Sequence, residues 1–285
     1  MHWRHATGVL VLDRPRILGI VNVTPDSFSD GGRLATVDDA RRLIDMMVSD
    51  GADVIDIGGE STRPQGAMPV SVDDELRRVM PVVEATRRDH PNVPVSVDTV
   101  KATVADLALR AGASIINDVS AFRLDSGMAQ TCANRGAGVV LMHSRGDVAD
   151  MATFAHATYG KDVVGEIIDE LTVRVTEADR AGIAAESIVV DPGIGFSKRA
   201  EHSLTTLAAL ARFVATGFPV LVGVSRKRFI GELTSVTQPD ARIFGTVGAN
   251  VSALHHGAML FRVHDVKAAR HALDVAWAIK RHEMA

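Results

Sequence analysis

Eight short, nearly continuous apolar runs rich in valine and isoleucine recur along the chain, at 17–23, 54–57, 93–97, 114–119, 139–142, 188–190, 220–224 and 259–263. Runs of this length without polar alternation suit strands buried on both faces, as in a parallel sheet covered by helices. Helical patterns separate them. Thr36, with Asp39 three residues on, reads as an N-cap before Ala40, Leu43, Ile44, Met47 and Val48, and Gly51 stops that helix. Ser71 opens a second helix carrying Leu76, Val79, Met80 and Val83. Val164, Ile167, Ile168, Leu171 and Val175 mark a long later one, and Val266, Ala269, Leu273, Ala276 and Trp277 the last. The segment 126–135 carries the faintest helical pattern. Eight β-then-α units predict an α/β chain folded as a single (β/α)8 TIM barrel. A doubly wound sheet fits less well, because the first strand ends in Asn22-Val-Thr-Pro-Asp26 and not in a glycine-rich phosphate turn. The short apolar stretch 9–12 reads as an extra N-terminal strand closing the barrel floor.

The chain has 285 residues, and nothing in its composition breaks it in two. Residues 1–285 read as one domain with the core barrel over about 17–282. Lys and Arg total 31 against 35 Asp and Glu, a net charge of −4 that does not favour nucleic acid as a partner. One cysteine, Cys132, excludes a disulfide framework and fits a reducing compartment. No apolar run reaches the roughly 18 residues of a membrane helix, and the start lacks a signal-like apolar stretch, so a cytoplasmic protein is expected.

In such a barrel the chemistry sits where the strands end. These ends are polar on all eight strands: Asn22; Asp56; Asp98; Asn117 and Asp118; Met142 and His143; Asp191; Ser225 to Arg228; and Arg262 to Asp265. Buried charges are costly unless paired or used. Asp56, Asp98, Asn117 and Asp191 are acceptors suited to a ligand edge rich in N–H donors. Arg63, Lys227, Arg262 and His264 suit an anion such as phosphate or pyrophosphate. Asn22 offers a hard oxygen of the kind Mg²⁺ takes alongside phosphate oxygens and water. Blander readings stand beside these. Asp118 and Asp265 read equally as caps, Gly193-Ile-Gly195 as a tight turn, His143 as core lining and Cys132 as inert packing.

Seven segments in order resemble the dihydropteroate synthase family of pterin-binding barrels. They are Gly19-Ile-Val-Asn-Val-Thr-Pro-Asp-Ser-Phe-Ser-Asp-Gly-Gly32, Asp56-Ile-Gly-Gly-Glu-Ser-Thr-Arg-Pro64, Ser96-Val-Asp-Thr99, Ile116-Asn-Asp-Val-Ser120, Asp191-Pro-Gly-Ile-Gly-Phe196, Ser225-Arg-Lys-Arg-Phe-Ile-Gly231 and Arg262-Val-His-Asp-Val266. The resemblance implies displacement of pyrophosphate from 6-hydroxymethyl-7,8-dihydropterin pyrophosphate by 4-aminobenzoate, giving 7,8-dihydropteroate for folate synthesis. It assigns the pterin to Asp98, Asn117, Asp191, Lys227, Met142 and Phe196. It assigns the pyrophosphate to Asn22, Thr62, Arg63, Arg262 and His264, with Mg²⁺ on Asn22. The aminobenzoate falls to Phe28, Thr62, Pro64, Phe196 and Ser225, with its carboxylate against N–H groups opening a helix at Arg226. Asp98, Lys227, Arg63 and Asn22 are the catalytic candidates, Asp98 facing the cation that develops on the pterin methylene. Sulfonamides are expected to compete at the aminobenzoate site. The loops 25–34 and 63–70 are expected to close over pyrophosphate and impose ordered binding. The segments 146–159 and 234–245 carry no residue the reading needs. A homodimer through C-terminal helices is implied, with Leu254, Leu273 and Trp277 as its apolar hint. A pterin-binding methyltransferase, a non-catalytic paralogue and a phosphosugar barrel are the alternatives.

Overall fold

The computed structural model of the chain describes residues 1–23, 36–61 and 70–283. A two-stranded antiparallel hairpin, β1 (His2–His5) and β2 (Gly8–Val11), precedes the barrel. The barrel strands are β3 (Arg16–Asn22), β4 (Val54–Gly58), β5 (Val95–Asp98), β6 (Ile115–Asp118), β7 (Gly138–Met142), β8 (Ile188–Asp191), β9 (Leu221–Val222) and β10 (Leu260–Val263). Every pairing among them is parallel, in the order β8-β7-β6-β5-β4-β3-β10-β9. A parallel bridge between Val190 and Val220 joins β8 to the segment entering β9 and closes the ring. The TIM barrel expected from the strand and helix pattern is the observed fold.

Among the described residues the helices are α1 (Val37–Ser49), α2 (Val72–Asp89), α3 (Ala102–Arg110), α4 (Met128–Arg135), α5 (Val163–Arg180), α6 (Ala200–Ala208), α7 (Leu210–Val214), α8 (Arg228–Thr234), α9 (Ile243–His255) and α10 (Val266–Glu283). Thr36 caps α1 by accepting the Asp39 N–H, and Ser71 caps α2 through the Asp74 N–H. The faint 126–135 pattern is a short helix whose chain leaves through Gly136 in the left-handed conformation.

The expected N-terminal strand is present and contributes to the floor: of stretch 9–12, Val9 and Val11 are exposed, while Leu10 packs against the floor layer and Leu12 is buried in it. The plug is Trp3, from a first strand that the polar sequence 1–7 concealed. Trp3 is fully buried, donates its indole N–H to the Ser187 carbonyl at 3.0 Å, and packs with Leu12. Both join one apolar layer with Leu18, Val54, Ile115, Val140, Val189, Leu221 and Leu260.

That layer sets up the opposite end. Side chains on a strand repeat their direction every second residue. Two residues beyond Val54, Ile115, Val140, Val189 and Leu260 lie Asp56, Asn117, Met142, Asp191 and Arg262. On these five strands an aliphatic group at the floor is followed by a polar or soft group in the mouth. The other face of the strands (Ile17, Val21, Ile55, Ile57, Val95, Val97, Ile116) meets the helices in a second, larger core. Leu254 and Leu273 belong to that core and are fully buried, so they are no part of an exposed surface. The exposed apolar side chains on α9 and α10 are Phe244, Val275 and Ile279.

Candidate active site

The mouth of the barrel is organised by one guanidinium. Arg262, from β10, donates through Nε to Asp56 Oδ2 at 2.6 Å and through Nη2 to Asp98 Oδ2 at 2.7 Å. Asp56 is fully buried and also accepts from the Ser96 hydroxyl at 2.5 Å and from Asn117 Nδ2 at 3.4 Å. A buried carboxylate with partners from three other strands fixes both Arg262 and Asn117. Asp98 shares the same cation. Burial pushes its carboxyl up to about 7, with Arg262 pulling it down and Asp56, Glu75 and Asp118 pushing it further up.

Lys227 approaches from the other side. The chain after β9 turns through Arg226, a non-glycine residue at φ 60°. The turn is held on three sides: the Arg226 N–H donates to Thr246 Oγ1 at 3.0 Å, its side chain forks onto Asp265 at 2.9 and 2.7 Å, and Arg242 donates to its carbonyl at 2.9 Å. Such strain persists only where the surroundings over-determine it. The result directs Arg226 outward and Lys227 inward. Lys227 lies over the Phe196 ring, 4.2 Å from its centre, and donates to the Ile194 carbonyl. Burial lowers its amine to about 7, against the pull of Asp191 and Asp98.

This turn corrects two expectations. The helix here is α8, which begins at Arg228 and not at Arg226, and the Arg226 N–H is engaged by Thr246. Segment 234–245, expected to carry no residue the reading needs, supplies Asp240 and Arg242 to hold the turn.

Asp191 ends β8. One oxygen accepts the Gly193 N–H at 2.7 Å, and burial raises its carboxyl while Lys227 opposes the rise. Gly193 has φ 67°, and a Cβ there would lie 1.9 Å from the His143 carbonyl oxygen, so only glycine fits. Gly193-Ile-Gly195 is thus the tight turn of the blander reading. Segment 146–159, expected to carry no residue the reading needs, packs beside the site. Met151, fully buried, clusters with Met142, with Val148 and Phe196 packed beside them, and accepts the Ser197 N–H at 2.7 Å.

On the β9–β10 side, the Ser225 hydroxyl lies 2.9 Å from His264 Nδ1 and accepts the His264 N–H at 3.1 Å. Asn22 ends β3, its amide oxygen beside Gly58, whose bare Cα leaves room for it and for Asp98. Phe28, Thr62, Arg63 and Pro64, with loops 25–34 and 63–69, lie outside the described residues. Asp118 faces away from the mouth and caps its own loop, accepting from the Ser120 N–H and hydroxyl and the Phe122 N–H. Cys132 is buried, and burial pushes its thiol up, so it packs inertly.

The family profile described as pterin binding enzyme matches residues 18–264. The dihydropteroate synthase of Mycobacterium leprae is 44% identical over 268 residues, covering 92% of this chain and 93% of that protein. The Xanthomonas albilineans dihydropteroate synthase with 4-aminobenzoic acid superposes with a TM-score of 0.90 at 45% identity, covering 98% of this chain and 99% of that one. This chain belongs to the dihydropteroate synthase family. The same Xanthomonas albilineans enzyme in complex with 7,8-dihydropteroate gives a TM-score of 0.86 at 43% identity, over 97% and 98% of the two chains. Within a dihydropteroate synthase barrel, the sequence alone did not single out the buried Lys198, nor the support that Asp56 gives Arg262. Lysine in a loop reads as solvated charge. Two of the partners of Lys198 are carbonyls of its own loop, at Gly193 and Phe196, and the third, His143, lies 55 residues away just past β7.

Proposed function

We propose that this chain joins 6-hydroxymethyl-7,8-dihydropterin pyrophosphate to 4-aminobenzoate, forming 7,8-dihydropteroate and releasing pyrophosphate. The observation that carries the reading is the convergence of Asp98, Asn117, Asp191 and Lys227 around Arg262 in the barrel mouth of a family member. The carboxylates and the Asn117 amide match the donor-rich edge of a pterin. Lys227 can donate to its carbonyl or ring nitrogen, and Met142 and Phe196 can pack on its faces. Asn22, Arg262 and His264, with Thr62 and Arg63, hold the pyrophosphate. Ser225 and Phe196, with Phe28, Thr62 and Pro64, receive the aminobenzoate.

An aniline is a weak nucleophile, so the methylene C–O bond breaks early. The amine nitrogen then takes the methylene carbon and sheds a proton to solvent. Positive charge on the methylene is spread through the electron-rich ring and faced by Asp98, while cations take the charge of the leaving group. No strong base is required. Mg²⁺ fits the donor set. Asn22 offers one neutral hard oxygen, and no cluster of three or more acidic, His or Cys side chains occurs among the described residues, so the ion would take one protein ligand and share phosphate oxygens. When bound it supplies charge stabilisation to the departing pyrophosphate.

The protein works as one domain, in the cytoplasm, and as a homodimer. The dimer reading is supported by Phe244, 90% exposed, with Val275 and Ile279 beside it on α9 and α10. Sulfonamides compete with aminobenzoate. The test is chromatographic detection of dihydropteroate from the two substrates. Lys227→Ala and Asn22→Ala each lower kcat/KM by roughly a hundredfold; product formed equally well by both variants overturns the assignment.

A further inference from the structure

Lys198 is a buried cation that the chemistry above leaves without a role. It is 2% exposed, and its hydrogen-bond partners are all neutral: His143 Nδ1 at 2.8 Å, the Gly193 carbonyl at 3.1 Å and the Phe196 carbonyl at 3.1 Å. Three acceptors call for three donors, which only the ammonium has. An ammonium cannot accept, so His143 Nδ1 accepts and its Nε2 carries the proton. That N–H then donates to Glu170 Oε2 at 3.0 Å. A neutral amine has only two N–H donors and would leave one of the three acceptors unpaired. Burial pulls the lysine's proton affinity well down and Asp191 opposes that fall, while burial and the Lys198 charge lower His143 to about 4 and keep its ring neutral. Glu170 is held in turn by Arg145 at 2.5 and 3.0 Å.

The placement of this chain of bonds is what matters. Residues 193 and 196, the two carbonyls that Lys198 grips, flank Ile194, whose carbonyl receives the Lys227 amine. The Phe196 ring is the surface over which that amine lies. Gly193 is also the residue whose N–H orients Asp191. We propose that Lys198, oriented by His143 and Glu170, is a positioning residue for pterin recognition. It fixes the 191–196 loop so that Asp191, Phe196 and the seat of Lys227 face the pocket together. Unlike those groups, Lys198 touches no substrate. The inference rests on the pterin-binding reading of the site.

The test measures the Kd of 6-hydroxymethylpterin by fluorescence, the KM for each substrate and the melting temperature in wild type, Lys198→Met and Glu170→Gln. In Lys198→Met the pterin Kd and the KM for the pterin pyrophosphate rise about tenfold, while the KM for aminobenzoate stays within about twofold. Glu170 is half-exposed, so Glu170→Gln folds normally and raises the pterin Kd about threefold by loosening the far end of the chain. A purely structural lysine would lower the melting temperature and leave both pterin constants unchanged; that result overturns the proposal. If Lys198→Met does not fold, a wild-type pterin Kd in Glu170→Gln overturns it alone. A wild type that binds no pterin sinks the functional reading itself, and this role with it.

Discussion

Asp98 and Lys227 are matched in an unusual way: burial brings an acid up and a base down to the same region, about 7 for each. The reading requires Asp98 as a carboxylate and Lys227 as an ammonium. Below pH 7 Asp98 gains its proton, and above pH 7 Lys227 loses its own. The free enzyme therefore gives a narrow bell in kcat/KM for the pterin substrate, centred near pH 7, when measured between about pH 5 and pH 9. A plateau across that range would show that neither titrates in catalysis, and a single limb that only one does. Asp56 acts one shell further out. Removing it strands the Arg262 guanidinium on Asp98 alone and leaves Asn117 unheld, so Asp56→Ala should lower unfolding stability by about 3–5 kcal/mol in a denaturant titration. Such residues were legible as acids at strand ends. That Asp56 serves Arg262 was not, because the pair is 206 positions apart and only the closed barrel makes them neighbours.

At the scale of elements, the strands were readable because burial on both faces erases alternation and leaves plain aliphatic runs. β1 failed that test. His2–His5 is polar on one side and contributes a single tryptophan to the floor on the other. Gly138 marks the contact from within the barrel, since a Cβ there would press on His5 at 2.9 Å and on the Arg4 carbonyl at 3.0 Å. Trp3→Ala should therefore cost about 3–5 kcal/mol while leaving kcat of the folded enzyme unchanged, because the plug lies at the end away from the site. A large fall in kcat with stability intact would place Trp3 in the chemistry instead. The supporting role of segments 146–159 and 234–245 was hidden for a different reason. Met151 and Arg242 act through a carbonyl and through guanidinium contacts to carbonyls, which carry no sequence signature.

For the whole molecule, the division of labour runs along the barrel axis: an apolar layer sealed by Trp3 at one end, and a charged ring tied by Arg262 at the other. The helix faces carry the third surface. Leu254 and Leu273 read as exposed in the sequence because helical spacing does not say which stripe faces the barrel. The structure assigns them to the core and leaves Phe244, Val275 and Ile279 outside. Replacing Val275 and Ile279 together with glutamate should convert a dimer to a monomer in sedimentation velocity, with the melting temperature little changed for the separated subunit. A dimer that survives both substitutions would place the interface elsewhere. The proposed reaction couples the two substrates, and pyrophosphate release reads that coupling directly. With 6-hydroxymethyl-7,8-dihydropterin pyrophosphate and Mg²⁺ present, release should depend on added 4-aminobenzoate, match dihydropteroate formed mole for mole, and collapse in Lys227→Ala. Pterin binding without any release on adding aminobenzoate would contradict it.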